Sequence, residues 1–184
     1  MVQAPEAGHE PTGFPRDDRR SGSEAASSPR RSWSQGRGGD SNVRETLRPG
    51  IEFEYSFRIP DSKTLPALYP ESDEFRAMPE VFATGFLVGF LEWACIKAVN
   101  PHLDWPREQT VGTHVDVSHV AATPAGFVVT AKVRLVQVDG RRLTFEVEVH
   151  DGVELISRGI HQRCVISRDR FDSRMREKTG GKPA

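Results

Sequence analysis

The sequence predicts an α+β domain in which a five-stranded antiparallel sheet curls around one buried helix. Three observations carry that expectation. The stretch from Ala83 to Val99 is apolar almost all round, which marks a helix covered on most of its sides. Five segments, one before it and four after it, alternate or cluster apolar residues as strands do. Asp139-Gly140 and Asp151-Gly152 fall between the later strands and carry the residues that tight hairpins need.

The first strand is the clearest. Ile51, Phe53, Tyr55, Phe57 and Ile59 alternate with Glu52, Glu54, Ser56 and Arg58, so one face is apolar and the other wet. Pro60 ends it. Pro60, Pro66, Pro70 and Pro79 then punctuate an irregular segment with one short helix expected near Glu71–Ala77. A connection of this length inside a domain is often functional. The apolar helix follows, with Thr84 a plausible N-cap and Asn100-Pro101 as its stop. Strands are expected over Val111–Ala121, Phe127–Val138, Arg142–His150 and Glu154–Ser167, with Thr123-Pro124-Ala125-Gly126 as a further turn. A twisted antiparallel sheet wrapped on the helix satisfies this order.

Composition sets the limits of that domain. Apolar residues make up 36% of the 184 residues, a low average that mixes two regions. Residues 1–45 are rich in Ser, Gly and Pro, carry balanced charges and offer little to bury, so they are expected to be a disordered tail. Residues 46–170 hold the core, and 171–184 form a charge-dense C-terminal tail expected to fray. The net charge of −1 gives no reason to expect nucleic acid as a partner. No apolar run is long enough to span a bilayer, and the N-terminus lacks the basic-then-apolar order of a signal peptide. A cytoplasmic protein that does not engage the membrane is expected. Cys95 and Cys164 lie in apolar segments and read as small core residues. The six His show no metal-ligand spacing, and no Gly-rich loop opens a helix, so neither a metal nor a cofactor is expected.

Three side chains stand out as chemistry. Glu92 sits among Val88, Phe90, Trp93, Cys95 and Ile96 with no basic residue three or four positions away. An isolated carboxylate on such a helix is costly unless a partner or water meets it. It is either a reacting group, a solvated helix-end acid, or the partner of an Arg from the sheet. Thr84 lies eight residues upstream, about 12 Å along the helix at 1.5 Å per residue. It is a cap, or with Gly85 it presents hydroxyl and helix-start amides to a developing oxyanion. The gap between Thr84 and Glu92 needs a substrate lying between them or a symmetry mate supplying one of them. His119 shares strand parity with Val115 and Val117 and should point toward the helix. An inward His is a proton carrier or a satisfied core residue.

Longer runs give a resemblance. Leu68-Tyr69-Pro70-Glu71-Ser72, Pro79-Glu80-Val81-Phe82-Ala83-Thr84-Gly85, Glu92-Trp93-Ala94-Cys95, Gly112-Thr113, His119, Gly140-Arg141-Arg142-Leu143, His150-Asp151-Gly152-Val153 and Gly159-Ile160-His161-Gln162-Arg163 resemble the fluoroacetyl-CoA thioesterase family of hot-dog proteins. The likeness spans roughly residues 48–178. It implies a hot-dog fold, a homodimer with sites near the subunit interface, and hydrolysis of an acyl-CoA to acid and CoA. It further implies Thr84, Glu92 and His119 as the catalytic set, and Gly112 and Arg163 as substrate contacts. One departure stands out. Members specific for fluoroacetyl-CoA place a Phe lid just before the Pro of the Pro-Glu-Val-Phe run, where this chain has Met78. Met is flexible, so a looser lid and another short or hydrophobic acyl group are expected. A non-catalytic protein binding acyl-CoA or a carrier's pantetheine arm is the competing class, and a dehydratase a weaker third.

Overall fold

The computed structural model describes residues 45–180. The chain divides into two units, Met1–Gly38 and Gly39–Ala184, and everything described belongs to the second. The expectation of a disordered tail over residues 1–45 falls almost wholly outside the described residues.

β1 spans Glu52–Arg58 and alternates half-buried and exposed positions along its length, as its sequence alternation demands. Ile59 is buried behind it, and Pro60 opens a strap of short elements. The strap holds a 3-10 turn at Asp61–Lys63, α1 at Leu65–Leu68 and α2 at Asp73–Arg76. The short helix expected near Glu71–Ala77 is α2, capped by Ser72, whose Oγ accepts from the Phe75 amide at 3.3 Å. α1 was not expected, because its four residues carry no periodic signal.

α3 runs Thr84–Val99. Leu87, Phe90, Leu91, Ala94, Cys95, Ala98 and Val99 are buried, which is the spacing of one helical face. Full burial of each Leu or Phe contributes roughly 1.5–3 kcal/mol, so this face anchors the fold. β2 (Glu108–Val117), β3 (Val128–Asp139), β4 (Arg142–His150) and β5 (Leu155–Ser167) follow. All pairings are antiparallel, in the order β1-β3-β4-β5-β2. Inward residues Val129, Ala131, Val133 and Leu135 of β3, with Leu143, Phe145, Val147 and Val149 of β4, close on α3. The outward face carries opposite charges across strands, among them Lys132 with Glu54 at 3.9 Å and Arg134 with Glu146. These exposed pairs add solubility and little stability.

Two expectations need correction. β2 ends at Val117, short of Ala121. The chain still follows β5 past that point, because the Ser118 amide donates to Arg158 O and the Val120 amide to Ile156 O, each at 2.9 Å. The charge-dense stretch after Arg168 does not fray at once: α4 spans Arg168–Gly180. Phe171 and Met175 lie four apart and half-buried, and Arg168 pairs with Asp172 at 3.7 Å on the next turn. Residues 181–184 lie outside the described residues.

The start of α3 is fixed by a chain of hydrogen bonds rooted at Asp151. This side chain is buried in the β4–β5 turn, where Gly152 takes φ 91°. Its Oδ1 accepts from the amides of Val153 and Glu154 at 2.9 Å each, and its Oδ2 from Thr123 Oγ1 at 3.2 Å. The buried Thr123 in turn accepts the Phe82 amide at its carbonyl, 2.8 Å away, two residues before the helix. Although burial pushes the Asp151 carboxyl up, the Glu154 and Val153 amides and the Thr123 hydroxyl hold it below its usual range. A carboxyl lowered on folding contributes stability above its unfolded value of about 3.9 and loses it as pH falls through the folded value. Asp151→Ala should therefore cost about 2–3 kcal/mol at pH 7 by leaving buried donors unpaired. The gap to the parent should narrow below about pH 4. Urea unfolding at both pH values checks this; equal stability of the two chains at pH 7 would refute it.

Candidate active site

The first polar cluster forms at the start of α3. Ala83, with φ −75° and ψ 140°, occupies the N-cap position, and Thr84 is the first helical residue. The expectation of Thr84 as N-cap is thus corrected. Its hydroxyl is engaged elsewhere, 2.9 Å from Nδ1 of His119. The first amide to find a helical carbonyl is that of Leu87, which donates to Ala83 O at 2.9 Å. The amides of Thr84, Gly85 and Phe86 precede it and face outward as helix starts do. Gly85 is needed for another reason as well, since a Cβ there would press Leu68 of α1 at 3.2–3.3 Å.

His119 lies beyond the end of β2, held by the two backbone bonds of Ser118 and Val120 to β5. Its ring is half-buried, and burial lowers its pKa, with the Ala121 backbone opposing. The imidazole is therefore neutral at pH 7, with one nitrogen on the Thr84 hydroxyl. A neutral ring in that position can accept a proton.

The second cluster lies two turns along α3, about 12 Å by helix rise. The Glu92 side chain is 39% exposed. Its Oε1 lies 3.5 Å from Nη1 of Arg163 and 3.9 Å from Nε2 of His161. Beneath it is Gly112 of β2, where a Cβ would collide with Glu92 Oε1. A register shift between Gly112 and His114 bends the strand here.

Arg163 on β5 is only 2% exposed. It donates from Nε to Thr110 Oγ1 at 2.9 Å and from Nη2 to Thr110 O at 2.8 Å. Its Nη1 lies 3.0 Å from His161 Nε2. His161 Nδ1 lies 2.9 Å from the carbonyl of His114. A carbonyl only accepts, so the proton sits on Nδ1 and Nε2 accepts from Arg163. Burial and the Arg163 charge lower the His161 pKa against the His114 carbonyl and Glu92, in keeping with a neutral ring. Burial lowers the Arg163 pKa, with Glu92 and Cys95 opposing, and a guanidinium keeps its charge under such conditions. Beside them the Cys95 thiol is pushed up to about 12, chiefly by burial, and is inert.

Of the residues singled out from sequence, Thr84, Gly85 and His119 meet in the first cluster, and Glu92, Gly112 and Arg163 in the second. Met78 follows α2 on the strap and is 41% exposed. Its amide donates to Phe75 O at 3.1 Å, and among the described residues no hydrogen bond or ion pair joins its side chain to either cluster. His161 and Thr110 escaped the sequence reading. Strand parity with Arg163 would have placed His161 on the inward face. A depression of about 770 Å³ on the outer face of the sheet is lined by already paired charges such as Arg134 and Glu146 and holds none of these groups.

A five-stranded antiparallel sheet curled around one buried helix is the hot-dog fold, and similarity to known proteins places this chain among the thioesterases of that fold. A hot-dog-like protein from Thermanaerovibrio acidaminovorans shares the fold at 21% identity, with a TM-score of 0.62 over 73% of this chain and 94% of that one. The chain belongs to the fluoroacetyl-CoA-specific thioesterase family, whose family model matches residues 68–169, and is a thioester hydrolase. It is 47% identical to the fluoroacetyl-CoA thioesterase of Streptantibioticus cattleyicolor over 137 residues, 74% of this chain and 98% of that protein. A variant of such an enzyme in complex with acetyl-CoA superposes with a TM-score of 0.70 at 48% identity, covering 72% of this chain and 99% of that one.

Gly112→Ala tests the packing of Glu92 on β2. The colliding atom is the far end of a flexible side chain, so the fold absorbs the methyl while the carboxylate is displaced. Thioester hydrolysis should fall about 100-fold, the order of loss for a misplacement near 1 Å. The Tm should move by no more than about 4 °C. An unchanged rate in a thiol-release assay would show that the placement of Glu92 over Gly112 carries no catalytic weight.

Proposed function

We propose that this chain hydrolyses a short or small hydrophobic acyl-CoA to the free acid and CoA, as a cytoplasmic homodimer in which Glu92, Thr84 and His119 are the reacting groups. The observation that carries the reading is the placement of Glu92: one oxygen is turned toward a buried guanidinium while the side chain keeps 39% exposure. It is thus not enclosed in a sealed ion pair. The family's acyl-CoA chemistry supplies the substrate class.

Two routes share this geometry. In the first, a Glu92 oxygen attacks the thioester carbonyl carbon, the C–S bond breaks, and water hydrolyses the resulting anhydride. In the second, Glu92 takes a proton from water whose oxygen attacks the same carbon, and collapse expels CoA thiolate. Either way water and acyl-CoA become acid and CoA. The Thr84 hydroxyl and the amides at the start of α3 supply donors for the oxyanion, and His119 exchanges protons with the departing sulfur. Gly85 keeps the backbone open at that point. Gly112 and Arg163 act through Glu92, since Arg163 is buried beneath it. Met78 borders the acyl group in place of an aromatic lid, which favours a wider acyl range.

The distance along α3 supports a site shared between two copies. β2 is an edge strand with Val115 39% exposed. Antiparallel pairing of two β2 edges sets the α3 helices side by side and in opposite directions, so Thr84 and His119 of one copy approach Glu92 of the other. No helix among the described residues is long and apolar enough to cross a membrane. The free thiols of Cys95 and Cys164 suit a reducing compartment.

A panel of acyl-CoAs with thiol detection tests the activity. Wild type should release CoA from short acyl chains, and Glu92→Gln should lose at least about 100-fold. Met78→Phe should narrow the acyl range. Binding without CoA release across the panel would replace the enzyme by an acyl-CoA-binding protein. Mixing inactive Thr84→Ala and Glu92→Ala chains tests the shared site. Each mixed dimer restores one intact site, so activity should return toward half of wild type per mixed dimer. No recovery on verified exchange would place both groups in one chain.

A further inference from the structure

We propose that His161 is a positioning residue for this reaction, whose Nε2 accepts a hydrogen bond from Arg163 and so sets where the guanidinium meets Glu92. The proposal rests on the reading of Glu92 as the reacting group.

A guanidinium is planar and rigid, so fixing its donors fixes its plane. Thr110 holds one edge of Arg163, through Nε at 2.9 Å and Nη2 at 2.8 Å. Nη1 is the nitrogen nearest Glu92, 3.5 Å from Oε1. It is also the one held by His161, at 3.0 Å. Of the two hydrogens on Nη1, the ring of His161 takes one, and Glu92 meets the same nitrogen as an ion pair at 3.5 Å. Without that acceptor the Arg163 head has a second route, tilting about its Thr110 edge to give Glu92 both hydrogens and draw it inward.

His161 can serve in this way because its ring is itself fixed. It is 1% exposed, and its Nδ1–H donates to His114 O at 2.9 Å across the β2–β5 pairing. It lies beneath Gly112, with Cε1 3.3 Å from where a Cβ on that residue would stand. The groups that face the cluster are Glu92 and Cys95 from α3, Thr110 and His114 from β2, and Arg163 from β5. Only a neutral ring protonated on Nδ1 satisfies both neighbours. The β2 backbone thereby controls the electrostatic floor under Glu92 through two side chains of β5, neither of which reaches solvent.

Two near-isosteric substitutions separate the ring's two bonds. In His161→Gln the side-chain oxygen falls near the Nε2 position and accepts from Arg163. In His161→Asn the amide nitrogen falls near Nδ1, donates to His114 O and leaves Arg163 without an acceptor. The expected result is a kcat within about 5-fold of wild type for Gln and about 100-fold lower for Asn, with KM little changed in both. Equal kcat for the two variants, or a loss confined to KM, would overturn the proposal. Glu92→Gln is run beside them: full activity there removes the reading of Glu92 itself, whereas its loss combined with equal Gln and Asn variants removes only the role of His161. Should the variants fail to fold, histidine 15N NMR on wild type decides. A ring protonated on Nδ1 with a bare, hydrogen-bonded Nε2 at neutral pH is required, and a proton on Nε2 overturns the assignment.

Discussion

A positive charge buried under the central helix organises much of this molecule. Moving a guanidinium out of water costs several kcal/mol even after relaxation, and only dense hydrogen bonding with an opposite charge offsets it. Arg163 obtains that from three directions: Thr110 on β2, His161 on its own strand, and Glu92 on α3. Among the described residues Glu92 is the one carboxylate within salt-bridge distance of Arg163. The same arrangement explains why the helix tolerates an acid amid Leu91, Ala94 and Cys95. It also explains the glycine at position 112. The carboxylate must lie against the β2 backbone to reach the cation, and any side chain there would occupy its place.

The rest of the fold holds the two ends of α3 relative to the sheet. The buried face of the helix packs chiefly on β3 and β1, which fixes its height and rotation. Its start is tied independently, through Phe82 to Thr123 and from there to Asp151 in the β4–β5 turn. Thr84 and Glu92 therefore sit on one rigid rod whose two contact points with the sheet are set by different turns. Rigid placement of this kind favours chemistry that depends on small displacements.

Much of this was legible in the residues. The sheet and helix followed from alternation, from one apolar run and from two Asp-Gly turns, because burial sets those patterns directly. Glu92 was visible as a carboxylate without a helical partner. The inward face of Val115 and Val117 followed from parity, although the shift at Gly112 reverses parity upstream, so that Thr110 and Gly112 share the inward face with them. What lay hidden depends on pairing between strands. His161 matters because it stands beside Arg163 and opposite β2, and neither relation is local in sequence. Thr84 looked like a cap because Thr is common there, yet Ala83 takes the cap conformation and the hydroxyl serves His119. α4 hid behind its charges, since its apolar content is the single pair Phe171 and Met175.

The two edges of the sheet differ in a way that bears on the proposed assembly. β1 places Glu52, Glu54 and Arg58 along its outward face, and charges at an edge discourage pairing with another sheet. β2 is longer, and between Glu108 and Asp116 its residues 109–115 carry no acidic, Lys or Arg side chain, which leaves room for a partner strand. An edge of this kind left open is an aggregation hazard, and pairing with a second copy removes it. The proposed two-fold pairing meets a second need at once. Thr84 and Glu92 stand about 12 Å apart along one helix, and in the proposed pairing antiparallel helices would bring the start of one beside the middle of the other. The edge that would pair and Gly112, against which Glu92 lies, belong to the same strand, which would tie the proposed assembly to the proposed activity through β2.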